Sequence, residues 1–195
     1  MEAMHRWLAP LLLSTLALGC HGGHATAPTP PAAPAADGGG GGGGGGGGRP
    51  HYTDFQLDDG HLRLPGPIVF AAGTADLDVD ASAPALWFIH DYLEAKDYIT
   101  LVRIEGHDPA AGEDALMMTG DRALTVGRWL VGEGIACDRL LAAAFGNFKP
   151  VADGSTAAGQ AQNRRIEVVN AALRGIAIGG MPVDGSAPAS APVCD

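Results

Sequence analysis

The stretch Ile104-Glu105-Gly106-His107-Asp108 decides how the rest of the chain reads. Residues 98–105 carry Ile99, Leu101, Val102 and Ile104, a run rich in β-branched side chains that predicts a strand. Its alternation is incomplete, which suits a strand covered on both faces. Gly106, His107 and Asp108 break the pattern, and Pro109 follows. Two further strings belong with it: Met118-Thr119-Gly120-Asp121-Arg122-Ala123, and Asn163-Arg164-Arg165-Ile166-Glu167-Val168.

Working outward, the second string lies in a helix expected over residues 113–133. Leu116, Ala123, Val126 and Leu130 form its apolar stripe, and Gly134 is suited to cap its end. Gly120, Gly127 and Gly132 each weaken that helix by up to about 1 kcal/mol relative to Ala. The third string leads into a strand over 165–169, preceded by a helical turn over 157–162 and a loop around 150–155. Residues 140–145 read as a short buried strand ending at Gly146.

Upstream, Ser82 reads as an N-cap with Pro84 in the first turn. Leu86, Ile89 and Leu93 then recur at helical spacing, and Trp87, Phe88 and Tyr92 broaden the face, so residues 83–96 are expected to be helical. Leu62-Arg63-Leu64 makes a short strand interrupted by Pro65 and Pro67. Ile68-Val69-Phe70 makes a better one, and residues 71–75 make a loop. The order is β-α-β-α-β-(α)-β. Helices between strands imply crossovers and at least one parallel pair, hence an α+β (mixed α/β) two-layer sandwich with a mixed sheet.

The remainder reads as delivery. Of 195 residues, 30 are Gly and 14 Pro, too many for one compact fold, so composition is uneven along the chain. Residues 1–20 hold a short positive start at His5 and Arg6, then an apolar run from Trp7 to Leu18. That run is too short to span a bilayer and right for a secretory signal. Leu16-Ala17-Leu18-Gly19-Cys20 resembles a bacterial lipobox, with Ala17 where Leu is usual. The resemblance implies cleavage before Cys20 and acylation of its thiol. Several acyl chains anchor a domain firmly, at about 0.8 kcal/mol per buried CH₂. His21 in place of Asp implies the outer membrane.

Residues 21–60 read as a disordered tether, with a Pro/Ala-rich half and an unbroken glycine run from Gly38 to Gly48. Fully stretched, such a tether reaches roughly 150 Å. The folded part is expected over 61–173, and 174–195 as a disordered Gly/Ala/Ser/Pro tail. Cys20, Cys137 and Cys194 make an odd count, so one has a separate job. Cys194 could pair with Cys137 if the tail folds back. The net charge of −10 argues against nucleic acid as a partner.

Taken in order and spacing, the three strings resemble the OmpA-like peptidoglycan-binding domain. Its pattern is Glu-Gly-His-Thr-Asp, then Leu-Ser-x-x-Arg-Ala, a Gly-Ile helix end, Gly-x-x-x-Pro, and Asn-Arg-Arg-Val-Glu. Gly134-Ile135, Asp138-Arg139-Leu140 and Gly146 to Pro150 match the connecting pieces, and residues 70–77 resemble the opening strand and loop. With the lipobox, the whole resembles a peptidoglycan-associated lipoprotein. The resemblance implies a periplasm-facing domain that grips the diaminopimelate of the peptidoglycan stem. Asp108 falls on the position for its ammonium and Arg122 on that for its carboxylate, with Thr119, Asn163 and Arg165 on the remaining motif positions.

There are departures. The Thr of the Gly-His-Thr-Asp string is absent, the interval to Arg122 is short, and Ala115 and Ala71 stand where Asn and Asp are usual. They leave a second reading, a degenerate domain that binds other envelope proteins. No enzyme is expected. Glu105, His107 and Asp108 lie close in sequence, yet no ligand-spaced His pair and no Gly-x-Ser-x-Gly string accompanies them, so neither metal nor cofactor is implied.

Overall fold

A computed structural model of the chain describes residues 49–180 and 190–194. The expected signal segment, Cys20 and the first part of the tether lie outside the described residues. Two short strands, β1 (Leu57–Asp58) and β2 (His61–Leu62), form a hairpin. There follow helix α1 (Val79–Ala95), strand β3 (Ile99–His107), helix α2 (Glu113–Gly132), strand β4 (Leu140–Gly146), helix α3 (Ala157–Asn163) and strand β5 (Arg165–Leu173). Strands β6 (Ile176–Ala177) and β7 (Ser190–Pro192) complete the described chain. The sheet order is β1-β2-β5-β3-β4-β7, with β6 paired to β5. Only β3–β4 is parallel among these pairs, and α2 is its crossover. The expected α+β fold with a mixed sheet is the one observed.

One face of the sheet is apolar. Val102 and Ile104 of β3, Leu140 and Ala142 of β4, and Ile166 and Val168 of β5 pack with Leu86, Ile89 and Leu93 of α1 and Ala123, Val126 and Leu130 of α2. These positions follow the two periodicities that the elements impose, two along a strand and 3.6 along a helix. The other face carries Arg103, Glu105 and His107, all buried.

The first helix starts earlier than its sequence suggests. Asp78, not Ser82, caps it, accepting from the Ala81 amide at 3.0 Å. Ser82 instead accepts the Val69 amide at 2.8 Å, and the Asp78 amide donates to the Val69 carbonyl at 2.9 Å. Both backbone polar groups of Val69 are therefore satisfied outside the sheet, and the expected strand there is reduced to a single bridge between Phe70 and Leu77. The sheet's first strands come from the 57–62 hairpin instead.

The expected tether boundary at residue 60 is too late. Tyr52 and Phe55 pack edge-on against Phe88, with ring centroids 5.1 and 5.2 Å apart. Asp91, almost wholly buried, takes the Arg49 guanidinium at 2.8 Å and the Tyr52 amide at 2.8 Å. These aromatics and this acceptor supply what the Pro/Gly composition upstream lacks. Burial alone would raise the pKa of Asp91, but the Tyr52 amide, Arg49 and His90 override it and hold it at about 2. A depressed folded-state pKa gives stability that is fully present above the ordinary carboxyl value and is lost as pH falls through that window. Melting temperature should therefore fall between pH 4 and 2 by way of Asp91, and Asp91→Asn should flatten that part of the slope.

The tail also departs from expectation. Arg174 and Gly175 adopt left-handed backbone, with φ of 50° and 76°, and turn the chain into β6. Strand β7 then pairs antiparallel with β4, Ala142 opposite Ala191. A Cys137–Cys194 disulfide fastens it. Val193 is buried against Gly127, where an added Cβ would meet its Cγ2 at 2.7 Å. The glycine that weakens α2 on paper is the slot for this valine. Cys194→Ser is expected to lower stability by about 2–4 kcal/mol, read by urea unfolding, because the bond closes a long loop.

Candidate ligand-binding cleft

The parallel β3–β4 pair brings the carboxyl end of β3 beside the start of α2, and the antiparallel β3–β5 pair sets His107 opposite Arg165. A crevice at strand ends near a helix start is a natural ligand position. Here it is a cleft of about 680 Å³ lined by residues including Phe70, Gly73, Asp108, Asp114, Arg122 and Arg164.

Asp108 is its centre. Its amide donates to the Gly146 carbonyl at 3.0 Å, which fixes the loop to β4. Its Oδ1 accepts from the Ala110 amide at 2.9 Å, a local turn of the kind Asp favours before Pro. Its Oδ2 faces Arg122 Nη1 and Arg164 Nε, each at 3.4 Å. Both are long for charge-assisted bonds, which settle near 2.7–2.9 Å. Arg122 is nearly buried, which is unusual for a guanidinium without a role. Its Nε donates to the Thr74 carbonyl at 2.9 Å, and its carbon lies 5.3 Å from the centre of the Phe70 ring. The loop over 71–76 thus orients the arginine and leaves one prong toward the cleft.

The five expected binding residues separate. Asp108 and Arg122 meet in the cleft, and Arg165 lines it. Thr119 does not reach it. The side chain is wholly buried, donating to the Leu116 carbonyl at 2.7 Å and accepting the Gly146 amide at 3.2 Å. Asn163 holds the neighbouring loop, its Oδ1 accepting from the amides of Val151 and Ala152 at 2.8 and 3.0 Å. Both residues shape the walls, with their polar atoms committed to the scaffold. Two lining residues are not singled out by the sequence. Arg164 reads as a strand-entry residue until the fold puts it across from Asp108. Asp114, in the first turn of α2, carries no motif signal at all.

Behind the cleft lies a charged layer. Arg103 Nε bonds Glu105 at 2.6 Å, and Arg165 Nε bonds Glu167 at 2.6 Å. Lys149 Nζ reaches Glu105 at 3.2 Å. Burial, followed by the Arg165 charge, pulls the His107 pKa down to about 4, against the opposing pull of Glu167 and Glu105. Its imidazole is therefore neutral near pH 7.

Residues 69–164 match the model of the OmpA family. "Peptidoglycan-binding protein ArfA" of Mycobacterium bovis is 32% identical over 106 residues, spanning 53% of this chain and 32% of that protein. "Probable lipoprotein YiaD" of Escherichia coli is 34% identical over 110 residues, spanning 55% and 49%. A crystal structure of a MotB-like protein from Desulfovibrio vulgaris superposes with a TM-score of 0.50 at 27% identity, covering 59% of this chain and 75% of that one. The chain spans about half or less of the length of these two curated relatives.

Proposed function

We propose that this cleft binds peptidoglycan non-covalently, by the ammonium and carboxylate at the end of a diaminopimelate side chain. One observation carries the reading: a carboxylate and a nearly buried guanidinium converge at 3.4 Å in an open cleft. That contact is loose enough to exchange. The ligand carboxylate takes the free prong of Arg122, and Asp108, released from it, accepts the ammonium. Arg164 is placed to hold the same carboxylate from the opposite wall. The related ArfA, named as a peptidoglycan-binding protein, supports the assignment. The chemistry is recognition rather than bond-breaking.

By the same reading the chain is a lipoprotein anchored through Cys20 in the outer membrane, with its domain in the periplasm, tying membrane to wall. Sedimentation with purified sacculi tests the binding: wild type pellets, and Asp108→Ala stays in the supernatant. A wild type that does not pellet, or an Asp108→Ala that still does, overturns it. Loss of acyl labelling in Cys20→Ser tests the anchor.

A further inference from the structure

His107 has a side chain only 1% exposed, yet neither ring nitrogen has a hydrogen-bond partner. Buried polar groups in folded proteins are nearly always paired, and each exception calls for an explanation. This one sits between two carboxylates. Its Nε2 lies 3.7 Å from Glu105 Oε2 and 3.6 Å from Glu167 Oε2. Those separations are too long for hydrogen bonds and leave no room for a water between.

They suit a third thing at the centre. The three donor atoms lie within 4.8 Å of one another. A tetrahedral ion with bonds near 2.0–2.1 Å sets its ligands about 3.3–3.4 Å apart, so the two His107 separations need contract by only a few tenths of an ångström, and the two carboxylate oxygens close on the ion from within 4.8 Å of each other. A fourth donor stands at the edge: His61 Nδ1 is 3.0 Å from Glu167 Oε2. We propose that Glu105, His107 and Glu167, with His61 as the outer ligand, form a site for a divalent transition metal of the zinc type.

The surroundings fit a ligand set. Two positions on β3 and their cross-strand neighbour on β5 share one face of the sheet, since Glu105 pairs directly with Glu167. Arg103 and Arg165 bond the Oε1 atom of each carboxylate, leaving both Oε2 atoms turned inward. Such outer partners orient ligating carboxylates. The mixed nitrogen and oxygen donors favour zinc over magnesium or calcium, which prefer all-oxygen shells.

Three cations oppose the ion: Arg103 and Arg165 on the outer carboxylate oxygens, and Lys149 on an inner one. Lys149 Nζ lies 3.2 Å from the inward oxygen of Glu105, and its side chain is 45% exposed. It occupies the approach from solvent and must swing away for a metal to enter. Lys149 is thus a built-in competitor, and the bound ion would join β2, β3 and β5, three strands otherwise linked only by hydrogen bonds and packing.

The test uses the full chain, stripped with a chelator and then titrated with zinc chloride. Because the sequence holds seven histidines, the comparison between variants is what discriminates. Wild type should gain about 5 °C in melting temperature at saturating zinc, as expected when an ion binds the folded state alone. Glu167→Gln and His107→Asn should lose that gain. Lys149→Ala should bind at least three-fold more tightly by calorimetry, and Co²⁺ in the same variant should give the visible bands of a tetrahedral centre. Should His107→Asn not fold, Glu167→Gln and Lys149→Ala suffice. An equal zinc response in wild type and Glu167→Gln, no tightening in Lys149→Ala, or the same response to magnesium overturns the site.

Discussion

Gly106→Ala is expected to give no folded domain. A Cβ at Gly106 would stand 2.0 Å from the Thr119 carbonyl oxygen and 2.8 Å from its carbon. Those are backbone atoms in the middle of a 20-residue helix, so no rotamer change relieves the clash. The strand or the helix must move, and with it the Thr119 bond to the Gly146 amide. Overpacking of a core typically costs about 1–3 kcal/mol, and a rigid backbone contact lies beyond that range. Circular dichroism and urea unfolding of the purified variant decide it. A cooperative transition within about 1 kcal/mol of wild type would mean that α2 does not rest on β3 as closely as described.

Arg122 is the second position with a large expected effect, and there the loss is of binding. Arg122→Ala should reduce sacculus binding by more than 100-fold. It removes a guanidinium desolvated against Phe70 and leaves Asp108 facing the exposed Arg164, and removing one member of a buried charged pair costs about 3–5 kcal/mol. It also releases the Thr74 carbonyl, so the 71–76 loop should loosen in hydrogen exchange. Arg122→Lys separates the two roles. A lysine keeps the charge but has no fork, and cannot serve Thr74 and a ligand carboxylate together. It should bind at least ten-fold more weakly than wild type while melting within about 3 °C of it. Binding equal to wild type in Arg122→Lys would show that a point charge suffices.

The parts of the fold legible in the sequence are those where local pattern and tertiary use agree. Strand β3 shows in Ile99, Val102 and Ile104, and α2 in Ala123, Val126 and Leu130, because each lies on the buried face its period predicts. Legibility fails where two residues can serve one purpose. Asp78 and Ser82 are both cap types, and only the need of Val69 for a partner assigns Ser82 elsewhere. Ile68-Val69-Phe70 has strand composition, but composition cannot show that no neighbour is available. The 190–194 segment looks disordered by composition, and its place rests on one cysteine and one valine that find Cys137 and Gly127.

The candidate site is legible in outline and not in detail. Asp108 and Arg122 follow from the order of the motifs. Thr119 and Asn163 belong to the same motifs, yet their polar atoms hold the scaffold. A motif records what must be kept and does not say whether for shape or for contact. The pairing of Glu105 with Glu167 is set by strand register over sixty residues of chain, which no local window contains.

The attachment of Arg49 and Tyr52 to Asp91 has a mechanical meaning for a domain held from its N-terminal side, as the proposed anchor requires. Tension arriving from that side meets Asp91 on α1 before it meets the β1–β2 hairpin. A hairpin at the sheet edge peels one hydrogen bond at a time under load. A helix packed across the core must be sheared away as a unit. The load is thus carried into the best-packed layer of the domain, and the edge strands beside the cleft's scaffold are spared it.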